Sequence, residues 1–317
     1  MTVAALRAGA VTAAVTLPPV EIPASHNDLL DRPLPAVLTT GMPDGRLQST
    51  VVWFQRDGGC VLINTMREFQ KARNLGRRRF ATLLVVEPRD ATKWIELRCD
   101  VTPDGRDALA HLDALSMRYI GTAPYFGRAV AAGLAAVEHP VVFRLTPFAV
   151  RTGPLYARGD RPGPAFASER SRPRPACSDE PTIPASHRDL LCPPHTVALG
   201  TRLPGGAAQT QPVWCCLDGN DVLVHATRQG GNGRNLAADP RATVLAVDPG
   251  DSGRWIEIRG DVEPQERVVP RHRDDPTRAH TGHSRRDGTA YPAGQRRHET
   301  LIARIHPRRI TCDAIHR

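Results

Sequence analysis

The densest run of chemically useful side chains is Asn64-Thr65-Met66-Arg67-Glu68-Phe69-Gln70-Lys71-Ala72-Arg73-Asn74-Leu75. An apolar stretch, Cys60 to Thr65, ends in an amide and a hydroxyl. A helical pattern from about Glu68 to Arg78 follows and carries Lys71 and Arg73 in its N-terminal half. A strand-end hydroxyl, the unpaired amides of a helix start and a cation together make a cradle for a phosphate group. Spacing alone does not separate that cradle from a solvated basic helix, because early basic residues commonly face water.

Other candidates read more plainly. Glu96 and Glu257 occupy matched positions, each two residues before an arginine, Arg98 or Arg259. On an exposed strand face such pairs read as structural ion pairs rather than catalytic acids. Trp53 and Trp214 suit either a core aromatic or a wall against a planar ligand. The C-terminal histidines His272, His280, His283, His298, His306 and His316 lack regular metal spacing, so no metal site is expected. No G-x-S-x-G, HExxH or P-loop pattern occurs.

Composition narrows the class. The 317 residues are 40% apolar and 24% charged, ordinary for a globular protein with room for about two domains. No apolar run reaches the ~20 residues of a membrane span. Val3 to Val20 is Ala-, Val- and Thr-rich, and reads as a loose extension rather than a signal peptide. Seven cysteines with no CxxC pair fit free thiols in the cytoplasm. The net charge of +9 is concentrated toward the C-terminus, where residues 264–317 hold 12 Arg against 6 Asp and Glu. With 5% aromatics and no stacking motif, that basic tail reads as a solvated segment, and nucleic acid is not an expected partner.

The elements that must position the cradle occur twice. Ile22-Pro23-Ala24-Ser25-His26 returns as Ile183-Pro184-Ala185-Ser186-His187, and the offset of 161 persists without a gap. Between residues 22–103 and 183–264, 37 of 82 positions are identical. Two units rather than many argue for a paired pseudo-dimer and against a solenoid. The expected organisation is an extension, 1–20; a first domain, 21–152; a Pro- and Arg-rich linker, 153–181; and a second domain, 182–317. The copies differ at the cradle. Asn64-Thr65 become His225-Ala226, Phe69-Gln70 become Gly230-Gly231, and Lys71 becomes Asn232. One competent site and one relic are therefore expected.

Within the first copy a short helix ends at Asp28 to Asp31, and an apolar run follows from Pro35 to Thr40. A Pro43-Asp44-Gly45 turn leads to a strand from Leu47 to Phe54. Asp57-Gly58-Gly59 turns it back into Cys60 to Thr65. After the helix come an apolar strand, Ala81 to Val86, and an alternating one, Trp94 to Val101. Thr102 and Pro103 look like an N-cap and first helical residue. Ala108, Leu109, Leu112, Leu115 and Tyr119 then form a helical stripe, and a strand from Val141 to Val150 closes the unit. Antiparallel strands with helices at the edges predict an α+β domain built on a small barrel. In the second copy Pro270 and Pro276 fall where that helix should run and would break it.

The ordered run IPxSHxDLL, PDG turn, VVWF, NT…KARNL and W-I-E-L-R resembles the pyridoxamine 5′-phosphate oxidase-like split-barrel superfamily, closest to its F420-dependent branch. The resemblance covers nearly all of both copies. It implies two tandem split β-barrels paired as a pseudo-dimer, with a cofactor lying between barrels. It further implies that Thr65, Gln70 and Lys71 hold the cofactor's phosphate; Asn64 and Arg73, from the same cradle, are expected to bind the cofactor beside them. Gln48, Ser49, Thr50, Val51, Val52 and Trp53 would line its ring, and Trp255 would reach the site from the second copy. The activity implied is hydride transfer from reduced F420 to an activated double bond of a small molecule. FMN chemistry on the same fold, or non-catalytic flavin or heme binding, stands as the alternative. No catalytic side chain is singled out.

Overall fold

The computed structural model describes residues 20–153, 181–192, 195–227, 230–265 and 300–313. The extension before Val20, nearly all of the linker, and Pro270 and Pro276 lie outside them.

In the first unit a short helix, α1 (Asn27–Asp31), leads into β1 (Ala36–Gly41), β2 (Leu47–Val52), β3 (Phe54–Asp57) and β4 (Cys60–Met66). Helix α2 (Gln70–Arg77), β5 (Phe80–Glu87), β6 (Asp90–Asp104), α3 (Ala108–Ile120) and β7 (Pro140–Thr152) complete it. The antiparallel order is β2-β1-β5-β6-β7-β4-β3. Gly45 and Gly58 take φ of +84° and +63°, the left-handed values that the two hairpin turns need.

The second unit repeats the plan. Its strands are β8 (Thr196–Arg202), β9 (Ala208–Asp218), β10 (Asp221–Thr227), β11 (Arg241–Val247), β12 (Trp255–Gln265) and β13 (Thr300–Cys312). Helix α4 (Gly231–Ala238) corresponds to α2. Here β9 runs unbroken and pairs with both β8 and β10, so the barrel closes. In the first unit the same path breaks at Trp53 between β2 and β3, leaving a curled, open barrel. The fold is thus two tandem split barrels. Each has its own apolar core, around Leu38, Phe54 and Leu97 in one and Leu199, Val224 and Ile258 in the other.

The barrels pack through matched residues. Val37, Leu84 and Trp94 meet Ala198, Leu245 and Trp255, their counterparts at the 161-residue offset. Glu96 accepts the Thr210 backbone N–H at 2.7 Å, and Glu257 accepts that of Ser49, also at 2.7 Å. Because the counterpart of each partner makes the counterpart contact, the interface is isologous, like that of a two-fold dimer. Hydroxyls of Thr210, Thr39 and Ser49 run in line between the units at 2.8 and 2.9 Å.

Two expectations from the sequence fail, each for a physical reason. Glu96 and Glu257 are 0% and 1% exposed, not on a solvent face. Alternation along Trp94 to Cys99 disappears because one side of β6 meets the core and the other meets the second barrel. The ion pairs themselves exist, Arg98 to Glu96 at 3.3 Å and Arg259 to Glu257 at 3.2 Å. Thr102 and Pro103 belong to β6, not to a helix start. The N-cap of α3 is Asp107, whose carboxylate accepts the Leu109 and Ala110 amides at 3.0 and 3.1 Å.

Thr39 and Gly200 are counterparts, and only one Cβ fits where they approach. A Cβ on Gly200 would lie 2.7 Å from the Thr243 methyl and 3.4 Å from that of Thr39. Gly200→Thr should therefore destabilise the protein by about 1–3 kcal/mol. Urea unfolding checks this, with Gly205→Ala, where nothing lies within 4 Å, as the neutral control.

Candidate functional site

The broken strand opens onto a cavity of about 460 Å³. One wall is the β2 end and the break, Thr50 to Trp53; another is Asn64 to Met66 at the end of β4. Phe69 and Lys71 enter from the start of α2, and Leu112, Leu115 and Ile120 from α3. The second unit supplies Asp251, Ser252, Gly253 and Trp255. The cavity therefore lies between the units and is incomplete without both.

One end is polar and unsatisfied. The hydroxyls of Thr50 and Thr65, the Asn64 carbonyl oxygen and the Trp255 indole nitrogen are buried without a hydrogen-bond partner. Asn64 is oriented by its amide, which donates to the Ala108 carbonyl at 2.7 Å. Helix α2 has no side-chain N-cap, so no side chain accepts from its first amides. Buried polar atoms normally find partners, and a cluster of orphans marks a place shaped for a ligand with acceptors and donors of its own.

Lys71 is the cation of this end. Part of the side chain touches solvent, yet burial pushes the ammonium down from 10.5 to about 8, opposed by the Glu257 carboxylate. Its nitrogen sits 5.8 Å from the Phe69 ring centre. The other end is apolar and aromatic. Trp53 stacks on Tyr119 at 5.3 Å and meets Tyr125 edge-on at 6.3 Å. Burial raises both tyrosine hydroxyls to about 12. The Tyr119 hydroxyl reaches the Leu34 and Phe54 carbonyls at 3.1 Å, which anchors the stack. Glu68 is drawn down to about 2 mainly by the His139 N–H, and ties the start of α2 to the approach to β7.

Eight residues expected at the site line the cavity: Thr50, Val51, Val52, Trp53, Asn64, Thr65, Lys71 and Trp255. Four do not. Gln48 accepts from the Asn74 amide at 3.2 Å, and Gln70 donates to Asn74 at 2.8 Å, so both turn along the helix. Ser49 is taken up by the interface, and Arg73 points outward to the Glu68 carbonyl at 2.6 Å. Asp251, Ser252 and Gly253 were not legible as lining, and their only signal was the position just before Trp255.

In the second unit the position of Lys71 is engaged by its own side chains. Asn232, at the Lys71 position, accepts from Gln209 at 3.1 Å and Thr201 at 3.3 Å. A Cβ on Gly231, the Gln70 counterpart, would lie 2.8 Å from the Gln209 amide. No group of three or more potential metal ligands occurs among the described residues. No helix among them is long and apolar enough to cross a membrane.

Residues 183–311 match the family model described as Pyridoxamine 5'-phosphate oxidase. Among solved structures, an F420 reductase is 27% identical, covering 41% of this chain and 98% of its own, with a TM-score of 0.35. A conserved hypothetical protein from Mycobacterium tuberculosis is 20% identical over 43% of this chain and 86% of its own, TM-score 0.34. The heme storage protein HutZ from Vibrio cholerae is 17% identical over 40% and 91%, TM-score 0.32. No curated protein sequence matches the chain.

Lys71 has a testable pH signature. Between about 8 and 10.5 the unfolded chain keeps this proton and the folded one has lost it, so the group's contribution to stability rises with pH across that window. Lys71→Met should raise stability at neutral pH by about 1–2 kcal/mol, after allowance for the exposed part of the side chain, and abolish that rise. Thermal unfolding between pH 7 and 10 measures both effects.

Proposed function

We propose that the cavity holds a phosphate-bearing flavin-type cofactor, F420 in the first instance, and that the protein is an oxidoreductase. The observation that carries this reading is the set of orphaned polar atoms on Thr50, Asn64, Thr65 and Trp255, all of which line the same cavity as Lys71. Acceptor oxygens of a phosphate would meet the hydroxyls, the ammonium and the uncapped amides of α2. The cation and hydroxyls of the lining suit the phosphate of a flavin-type cofactor. The family match in the second unit and the F420-like motif order of the first support the same direction.

When bound, reduced deazaflavin supplies hydride to an activated double bond. The chain's own part is to bind, orient and exclude water. Lys71 and Thr65 would fix the phosphate end, the Asn64 carbonyl oxygen would accept from an N–H or O–H of the cofactor, and the segment from Thr50 to Trp53 would set the depth of the ring. Leu112, Leu115, Ile120 and Val130 make a dry wall that suits an uncharged, largely apolar substrate. Tyr125, with its hydroxyl near 12, is a poor acid at neutral pH, and Lys71 is occupied by phosphate; water then supplies the proton. In this reading the second unit is a partner that completes the site, not a second enzyme.

Titrating the purified protein with F420, FMN and heme, followed by absorbance and fluorescence, tests the proposal. F420 should bind, and Lys71→Ala should weaken it about 10- to 100-fold through loss of a charge-assisted contact, with Asn232→Ala unchanged. FMN or heme binding without F420 would sink the cofactor assignment. Unchanged affinity in Lys71→Ala, with loss in Asn232→Ala, would sink the site assignment.

A further inference from the structure

Glu257, from the second unit, touches the strand that lines the cavity. Its Oε1 accepts the Ser49 N–H at 2.7 Å and the Thr243 hydroxyl at 3.2 Å, and its Oε2 faces Arg259 at 3.2 Å. Ser49 immediately precedes Thr50, the first residue of β2 to line the cavity. The same carboxylate is the acid whose field reaches Lys71. Glu96 makes the mirror-image contact with Thr210 at 2.7 Å, but the residue at the Lys71 position on that side is Asn232, held by Gln209 and Thr201.

We propose that Glu257 is a positioning residue for the first unit's cavity: one carboxylate, contributed across the interface, sets β2 in register and supplies the counter-charge to Lys71. The two tasks need the charged form. Burial raises the carboxyl, and Arg259, the Ser49 N–H, the Thr243 hydroxyl and Arg309 act against that rise. The groups acting on the charge of Lys71 are Glu257 and the Phe69 ring face. Loss of the Glu257 charge removes the carboxylate that favours the desolvated ammonium, so its proton is given up at lower pH. Glu96 and Glu257 are alike, but a lysine stands only at position 71, and its counterpart is Asn232.

Lys71 and Lys93 are the only lysines, so lysine-labelled protein yields two Cε signals, assigned with Lys93→Arg. Glu257→Gln should move the Lys71 titration down by about one pH unit. Glu96→Gln, equally buried and equally bonded to backbone, should leave it where the native protein has it. A purely structural role would give both variants the same effect. Glu257→Asp keeps the charge but draws it back, and should give a smaller shift in the same direction, a readout that serves if Glu257→Gln does not fold. An unmoved Lys71 in Glu257→Gln, or in Glu257→Asp where that variant alone folds, overturns the inference, as does an equal shift in Glu96→Gln. The inference rests on the flavin reading only for its consequence in binding. The titration uses no ligand, so failure to bind any flavin would reject that reading and leave this result to stand or fall by itself.

Discussion

Everything at the centre of this molecule depends on two buried carboxylates that each accept a backbone N–H from the opposite barrel. An ionised carboxylate removed from water is costly unless its oxygens are satisfied. Glu96 and Glu257 are satisfied by an arginine on their own strand and an amide of the other unit's strand. Those amides stand on the side of β2 and β9 that faces the other barrel. Each barrel therefore needs the other to complete its hydrogen bonding. The two tryptophans and their aliphatic neighbours add apolar burial around this polar centre.

Around that shared centre the units differ. The contacts at the centre of the interface are matched residue for residue between the units. The cavity shares Trp255 with that interface, but its lysine and strand-end residues differ from their counterparts in the second unit. In the first unit Trp53 leaves the strand, the barrel stays open, and Tyr119 and Tyr125 brace the gap. In the second, β9 continues through the same point and Gln209 folds over Gly231 and Asn232. A covalently joined pair keeps its partner at high effective concentration, so one half can serve as scaffold while the other keeps the pocket.

The polar end of the cavity is expensive for the protein alone. Four buried groups without partners and a desolvated lysine each disfavour folding by an amount of the order of 1 kcal/mol or more. The second unit carries Ala226 and Asn232 at the positions of Thr65 and Lys71, and so has neither cost.

Much was legible in one dimension. Repeat offset, hairpin turns, barrel strands and the contrast of Lys71 with Asn232 follow from residue types and their spacing, because turns, alternation and strand ends are local properties; Thr50 to Trp53 and Trp255 were named only through the family resemblance. What lay beyond reach is what depends on the second barrel. Alternation in β6 could not reveal that both of its faces are covered, so Glu96 and Glu257 looked solvent-exposed. Gln48, Gln70 and Arg73 belong to the right segments, but contacts with Asn74 and Glu68 turn their side chains away. Nothing near Asp251 to Gly253 marks it as a wall until the units pair. The sequence by itself determined the two barrels and the cation between them. Only the tertiary structure decided which faces meet, because a pairing contact is a property of two surfaces and neither strand carries it alone.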